Sequence, residues 1–217
     1  MDLIVGGGTY GLLAAQFCIK EGRPAKVIDP DPGCRAARFL AAQPQPQIEM
    51  IRGEIPEACR CFFAERPARV FPTAPVHVAA RMIAFSCRLH ECGSGIGRFI
   101  AKVPENIRAG KSGADAYFSC NPEGTCIPDC LSPVCCPVTG EDRTIPLFAR
   151  LREWCPDAVI LESVQQAPGL GAICGTDLAA AIDRCRDRAE VFVGTACRCH
   201  GVVTALCDRE PARKRSG

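Results

Sequence analysis

Charge of one sign, long apolar runs and the common catalytic signatures are all missing from this chain. Its 26 Lys and Arg nearly balance its 24 Asp and Glu, for a formal net charge of +2, so it lacks the concentrated basic face that nucleic acid requires. The one basic run, Arg213-Lys214-Arg215, reads as a solvated terminus. No apolar stretch approaches the roughly 20 residues that span a bilayer. The apolar opening Leu3-Ile4-Val5 runs straight into glycines, without the length or cleavage site of a signal peptide. A soluble, cytosolic protein with no membrane span and no nucleic-acid partner is expected. No Ser-His-Asp arrangement, carboxylate pair or Walker lysine is evident; Lys111 lies between Gly110 and Gly113 outside any phosphate-loop pattern.

Cysteine is the abundant residue: there are 17, an odd number. Cytosolic thiols are kept reduced, so a disulfide scaffold is not expected, and clustered cysteines there point to metal ligation or redox chemistry. Cys18, Cys59, Cys61, Cys155 and Cys185 fall in or beside expected helices and read as small core hydrophobes.

The first chemistry-bearing motif is at the N-terminus. Residues 2–5 form a short apolar run stopped by glycine, which suits a buried strand. Gly6-Gly7-Gly8-Thr9-Tyr10-Gly11 follows, with glycine at positions 6, 8 and 11. A proline-free helix is expected to Lys20, then a second strand, Ala25 to Ile28, closing on Asp29. Gly6 permits the tight strand-to-helix turn, Gly8 lets backbone approach a pyrophosphate, and Gly11 lets the helix pack on the strand. The helix start, with Thr9 and Tyr10, turns N–H groups toward the phosphates. Asp29, 18 residues after Gly11, stands where an acid meets the adenosine ribose. The expected cofactor-binding residues are therefore Gly6, Gly8, Thr9, Tyr10, Gly11 and Asp29. An acid at 29 favours NAD over NADP; Arg35 and Arg38 keep NADP open, and the motif also admits FAD. The stretch from Ile4 to Asp31, with its Val-Ile-Asp-x-Asp, resembles the NAD-binding N-terminal domain of the TrkA and RCK potassium-uptake regulators. That resemblance implies an NAD fold and implies nothing about potassium.

Further along, helices are expected at 34–42, 54–65 and 76–89, with His77 and His90 as satisfied helix residues, and strands at 47–51 and 69–71. Gly93 to Gly97 reads as a flexible connection. Residues 117–143 hold five cysteines, four prolines and two glycines and have no periodicity. Beyond them a helix is expected from Ile145 to Trp154, a strand at 158–161, a helix capped by Thr176 or Asp177 running to Arg188, and a last strand at 191–193. This alternation predicts an α/β fold: one Rossmann-like, doubly wound, mainly parallel sheet over residues 1–217, with 117–143 as a cysteine-rich irregular insertion.

Two segments carry the cysteine constellation, Cys120 to Gly140 and Thr195-Ala-Cys197-Arg-Cys199-His200-Gly201. A proline-stiffened loop, bound to no helical or strand period, can bring thiolates to one ion or cluster. The expected ligands are Cys126, Cys130 and Cys136, completed by Cys197 or Cys199, with His200 as ligand or donor. The spacing matches neither a zinc ribbon nor a bacterial ferredoxin; a [4Fe-4S] cluster is favoured over zinc, and a thiol-redox pair or free thiols are the alternatives. From Tyr117 onward the chain is similar to an uncharacterised bacterial family of anaerobes. Its members carry a comparable cysteine-rich Thr-Gly segment, a Gln-x-Pro-Gly-x-Gly loop (here Gln166 to Gly171) and a Thr-Ala-Cys-x-Cys-His-Gly ending. The resemblance implies shared architecture and no activity, and Cys120 and Cys135 fit its pattern least.

If the strands are parallel, the glycine loop, the Ser163–Gly171 loop and the Thr195–Gly201 loop share one sheet edge. A dinucleotide-binding redox protein with a metal centre near that edge is then expected, an NAD(P)- or flavin-linked oxidoreductase with a redox partner protein. The alternatives are an NAD(H)-sensing regulatory module with a structural zinc or thiol site, and a dehydrogenase with a zinc-stiffened lid.

Overall fold

Apolar runs that stop at glycine or proline, alternating with alanine-rich segments, fold as strands and helices in turn. The computed structural model describes residues 1–127 and 130–208; the basic run at 213–215 lies outside the described residues. The chain opens with β1 (Asp2–Val5), α1 (Thr9–Lys20), β2 (Ala25–Asp29), α2 (Arg35–Ala42), β3 (Ile48–Arg52), α3 (Ile55–Glu65) and β4 (Arg69–Pro72). Next come α4 (Val78–Cys87), β5 (His90–Glu91), α5 (Ile96–Ile100) and the pair β6 (Arg108–Ser112) and β7 (Asp115–Ser119). An irregular cysteine-rich segment leads to α6 (Leu147–Trp154), β8 (Val159–Glu162), β9 (Val164–Ala167), β10 (Leu170–Cys174), α7 (Gly175–Cys185), β11 (Glu190–Ala196) and β12 (His200–Cys207).

The α/β class holds, but the strands form two mixed sheets instead of one mainly parallel sheet. The first has the order β3-β2-β1-β4-β10-β9. Its first four strands are mutually parallel, and β10 joins β4 antiparallel. The second has the order β6-β7-β12-β11-β8, with β5 against β12; only β8 and β11 are parallel.

Alternating side-chain direction explains how the layers stack. Leu3 and Val5 of β1 face the same core as Val159 and Leu161 of β8 and Val191 and Val193 of β11. Helices α3, α4 and α7 fill that core, so they lie between the two sheets. Ile4 turns to the opposite face, onto α1 and α2. Ile160 turns away too, onto α5 and α6. Five layers result. Ile83 is fully buried in the central one, and its truncation to Ala costs about 2–5 kcal/mol.

The differences from expectation have physical causes. β6 and β7 form an edge hairpin whose polar residues hide the strand period, and Tyr117 to Ser119 complete β7 before the irregular segment begins. Ser163 to Gly171, expected as a loop, forms most of the β9–β10 hairpin that links the two sheets. β12, flanked on both sides in the second sheet, was hidden by Gly201 and Thr204, the latter buried. His90 lies in β5, and the stretch at Gly93–Gly97 closes into α5. Helix α7 is capped at Cys174, two and three positions before the expected Thr176 and Asp177, and ends at Cys185 instead of Arg188. Among the described residues, no helix is long and apolar enough to cross a membrane.

Candidate functional site: a glycine cleft and a cysteine cavity

The parallel strands β1 to β4 deliver their carboxyl ends to one cleft of about 510 Å³. Gly6 and Gly8 follow β1, Asp29 ends β2, Gly53 and Glu54 follow β3, and Thr73 to Val76 follow β4; all line it. Gly6 has φ 106°, and a Cβ there would overlap the Ala74 backbone nitrogen. A Cβ on Gly11 would overlap the Gly6 carbonyl oxygen, so that glycine serves the packing of α1 on the turn. Gly8 differs: a Cβ there would meet no protein atom within 4 Å. Its missing side chain keeps the cleft open instead of the fold closed. Thr9 and Tyr10 are exposed at the start of α1, and neither they nor Gly11 line the cleft. The Asp29 carboxylate accepts Gly7 N–H at 2.5 Å and Asp31 N–H at 2.8 Å, which fixes it across the turn. A carboxylate has about four acceptor positions, so capacity remains for a hydroxyl.

The cysteine-rich segment packs over the carboxyl ends of the parallel strands β8 and β11. All five expected thiols, those of Cys126, Cys130, Cys136, Cys197 and Cys199, line one cavity of about 220 Å³, together with His200. Cys120 and Cys135 do not line it. β11 ends at Ala196 and β12 begins at His200, so Cys197 and Cys199 occupy the tight connection between them. Cys197 N–H donates to His200 O and His200 N–H donates back to the Cys197 sulfur at 3.4 Å. The donor atoms of Cys197, Cys199 and His200 lie within 4.8 Å of one another. The imidazole is bracketed by sulfur, with Cys199 Sγ 3.3 Å from Nδ1 and Cys126 Sγ 3.3 Å from Nε2. Thr139 N–H donates to Cys136 at 3.5 Å and Ser132 N–H to Cys130 at 3.3 Å.

These contacts make thiolates available. Hydrogen bonds from Thr139 bring the Cys136 thiol down to about 7. Cys197 is held down at about 4, because a hydrogen bond from the Cys199 thiol, supported by His200 and nearby backbone N–H groups, outweighs the cost of burial. The shared proton stays on Cys199, which is pushed up by that hydrogen bond and by burial. Thiolate is the metal-ligating form, so the connection presents one ready ligand beside two more donors. Core cysteines behave in the opposite way: burial pushes Cys18 up to about 12 and Cys59 and Cys185 to about 11.

Comparison with known proteins adds a family and no activity. A family model described as an uncharacterised protein's N-terminal domain, AF_1314_N, matches residues 1–78, and its C-terminal counterpart, AF_1314_C, matches residues 78–208. The chain belongs to the AF_1314 family. An uncharacterised protein of Archaeoglobus fulgidus is 36% identical over 213 residues, covering 95% of this chain and 99% of that one. No solved structure matches.

In this AF_1314 member the two family domains divide the two sites. Every residue lining the glycine cleft except Arg81 belongs to the N-terminal match, and every described residue lining the cysteine cavity belongs to the C-terminal one. The cavities share no lining residue, so the three motif loops do not form a single pocket. They are nonetheless neighbours on the first sheet. Thr73, after the end of β4, lines one cavity, and Leu170, at the start of the antiparallel β10, lines the other. His77, beside the domain boundary, is buried and bridges onward. Its Nδ1 lies 2.7 Å from Thr204 Oγ1 and its Nε2 2.8 Å from Thr195 Oγ1, two positions before Cys197. Thr204 in turn donates to Asp115. Sequence reasoning placed His77 inside a helix, whereas it precedes α4, and missed this bridge, because a lone histidine carries no signal of a partner more than a hundred positions away. It also missed Arg143, a buried arginine on the cysteine cavity; an arginine inside a segment read as irregular was the available sign.

Proposed function

We propose that this protein is a dinucleotide-binding redox protein whose cysteine cavity holds a metal centre, an iron–sulfur cluster or a single transition-metal ion. The observation that carries the proposal is the convergence of Cys126, Cys130, Cys136, Cys197, Cys199 and His200 on one small cavity from segments about sixty residues apart. Free cysteines used only for packing have no reason to gather around a space, and those in the core of this chain do not. The dinucleotide, NAD or in second place NADP or FAD, is supported by the Rossmann-like order β3-β2-β1-β4. It is also supported by the open space over Gly8 and by Asp29 at the carboxyl end of β2. The resemblance of residues 4–31 to the TrkA and RCK NAD-binding domain points the same way, and the proposal carries with it a cytoplasmic location, where thiols stay reduced.

Hydride delivers two electrons and a cluster accepts one at a time. A redox function with a cluster therefore needs a flavin in the glycine cleft, a second centre or a partner protein. The second reading is an NAD(H)-sensing module with structural zinc. It is favoured by one observation, the compact Cys197-Cys199-His200 set with Cys126 alongside, since structural zinc accepts a mixed Cys/His tetrahedron.

The test is the visible spectrum of protein purified without oxygen, combined with equilibrium titration of NAD, NADH and FAD. A coloured protein whose band bleaches with a reductant, and which binds one of the three, supports the redox reading. A colourless zinc protein that binds NADH supports the sensor. A protein that binds no dinucleotide and no metal overturns both.

A further inference from the structure

Two cysteines outside the cavity meet where the short strand β5 lies against β12. Glu91 pairs with Leu206 and His90 with Cys207. Cys92 continues that register, donating its N–H to Ala205 O at 2.8 Å, so Cys207 stands two positions along from the residue opposite Cys92. Side chains two apart on a strand share a face, and diagonal cross-strand neighbours lie within reach of each other. The packing agrees. Cys92, Ala205 and Cys207 all turn toward the core under α5 and α6, while Leu206 turns to the central layer. A side-chain hydrogen bond joins the two thiols. Cys92 is buried, Cys207 is half-buried, and neither lines the cysteine cavity.

The surroundings of Cys92 suit exchange chemistry more than packing. The Ser94 hydroxyl lies 3.4 Å from its sulfur. That hydrogen bond, with others from the Cys207 thiol and the Gly95 N–H, outweighs burial and holds the Cys92 thiol below its ordinary value. Thiolate is the nucleophile in thiol–disulfide exchange. Cys87 and Cys185 also interact with each other, but burial pushes both of them up, as expected of cysteines that only fill space.

We infer that Cys92 and Cys207 form a reversible redox-modification site, which closes to a disulfide by exchange with a low-molecular-weight disulfide. Cys207, the more exposed, attacks as thiolate one sulfur of the small disulfide. That S–S bond breaks, one small thiol leaves with a proton, and a mixed disulfide remains on Cys207. The Cys92 thiolate then attacks the Cys207 sulfur and expels the second small thiol. The two protein thiols lose two electrons and two protons, and the small disulfide takes them up as two thiols. This site goes beyond the proposed function and does not rest on it. β12 carries His200 at one end and Cys207 at the other, so the bond fastens the strand that bears the cavity's imidazole.

The experiment is equilibration of the full chain, purified without oxygen, in mixtures of reduced and oxidised glutathione, followed by alkylation and peptide mass mapping. The expected result is a Cys92–Cys207 cross-link, reversed by reductant, that forms at an oxidised fraction about tenfold or more below that at which Cys87 and Cys185 are modified. Cys92→Ser traps glutathione on Cys207 and forms no cross-link. The inference is overturned if Cys92 and Cys207 remain thiols when Cys87 and Cys185 are modified, if either links to another cysteine instead, or if both take up glutathione without joining. The parent chain alone decides among these outcomes, so the test does not depend on the variant folding.

Discussion

Cys126 Sγ lies 3.3 Å from His200 Nε2, although 74 positions separate the two residues. The contact joins the irregular cysteine-rich segment to the β11–β12 connection, where Cys199 meets the other nitrogen of the same ring and Cys197 accepts from the His200 backbone N–H. If this is a ligand set, Cys126→Ser and His200→Ala each weaken metal affinity by at least about 100-fold. Cys18→Ser, in the core near Asp2, leaves it unchanged. Metal content after equilibration with a competing chelator measures the difference; equal retention by the Cys126 and Cys18 variants removes the proposed set.

Gly8 and Gly11 are predicted to fail in different ways. Gly8→Val fills open space over the cleft, so the protein stays folded while dinucleotide affinity drops by about 100-fold or more, roughly 2.7 kcal/mol. Gly11→Ala drives a methyl group into the Gly6 carbonyl and lowers thermal stability. Fluorescence titration with NADH and a melting curve on each variant separate the two; unchanged affinity in Gly8→Val ends the nucleotide assignment.

His77 predicts a pH dependence. Burial, aided by Arg81, holds its imidazole down at about 3 against an ordinary value near 6.5. Folding therefore favours the neutral ring, and below pH 6.5 the unfolded chain takes up a proton that the folded chain refuses. This contribution to stability is complete above pH 6.5 and declines as the pH falls toward 3. The groups around the ring are Arg81 on α4 and the hydroxyls of Thr195 and Thr204, with Asp115 behind the latter. His77→Gln should be less stable at pH 7 and show a flatter stability profile between pH 7 and 4. A profile as steep as the parent's assigns the acid sensitivity to other groups.

At the opposite end of the first sheet, Asp2 is fully buried between Arg23 and Arg69, at 2.9 Å and 2.7 Å. Burial pushes its carboxyl up, but hydrogen bonds and charge from Arg69 and Arg23 outweigh this and hold it at about 2. Asp2→Asn leaves two arginines without their counter-charge and should cost about 3 kcal/mol, read as a shifted urea midpoint at pH 7. The deficit should shrink as the pH falls below 4, where the parent's unfolded carboxyl becomes protonated.

Local signals were legible and long-range ones were not. The run from Asp2 to Asp29 carries strand, glycine turn, helix and strand in one continuous stretch, and all four form where their residues indicate. The cysteines chosen from the loop and from the β11–β12 connection, Cys126, Cys130, Cys136, Cys197 and Cys199, do line one cavity, because prolines and clustered thiols are visible without knowledge of pairing. The second sheet was not legible. β12 is held by hydrogen bonding to β7 and β11, with β5 also against it, and no residue from His200 to Cys207 announces those partners. Arg143 was hidden for the same reason, since a buried guanidinium on a cavity wall exists only once that wall has been built.

The central claim is that the cysteine cavity is a metal centre, and the most direct test is metal and acid-labile sulfide content of the full chain purified without oxygen. The account predicts stoichiometric metal: iron with matching sulfide, about four of each per chain for a cubane, or a single zinc or iron ion, lost in either case from Cys126→Ser and Cys197→Ser. A parent protein that carries no metal, and acquires none from a solution of iron or zinc under reducing conditions, contradicts it.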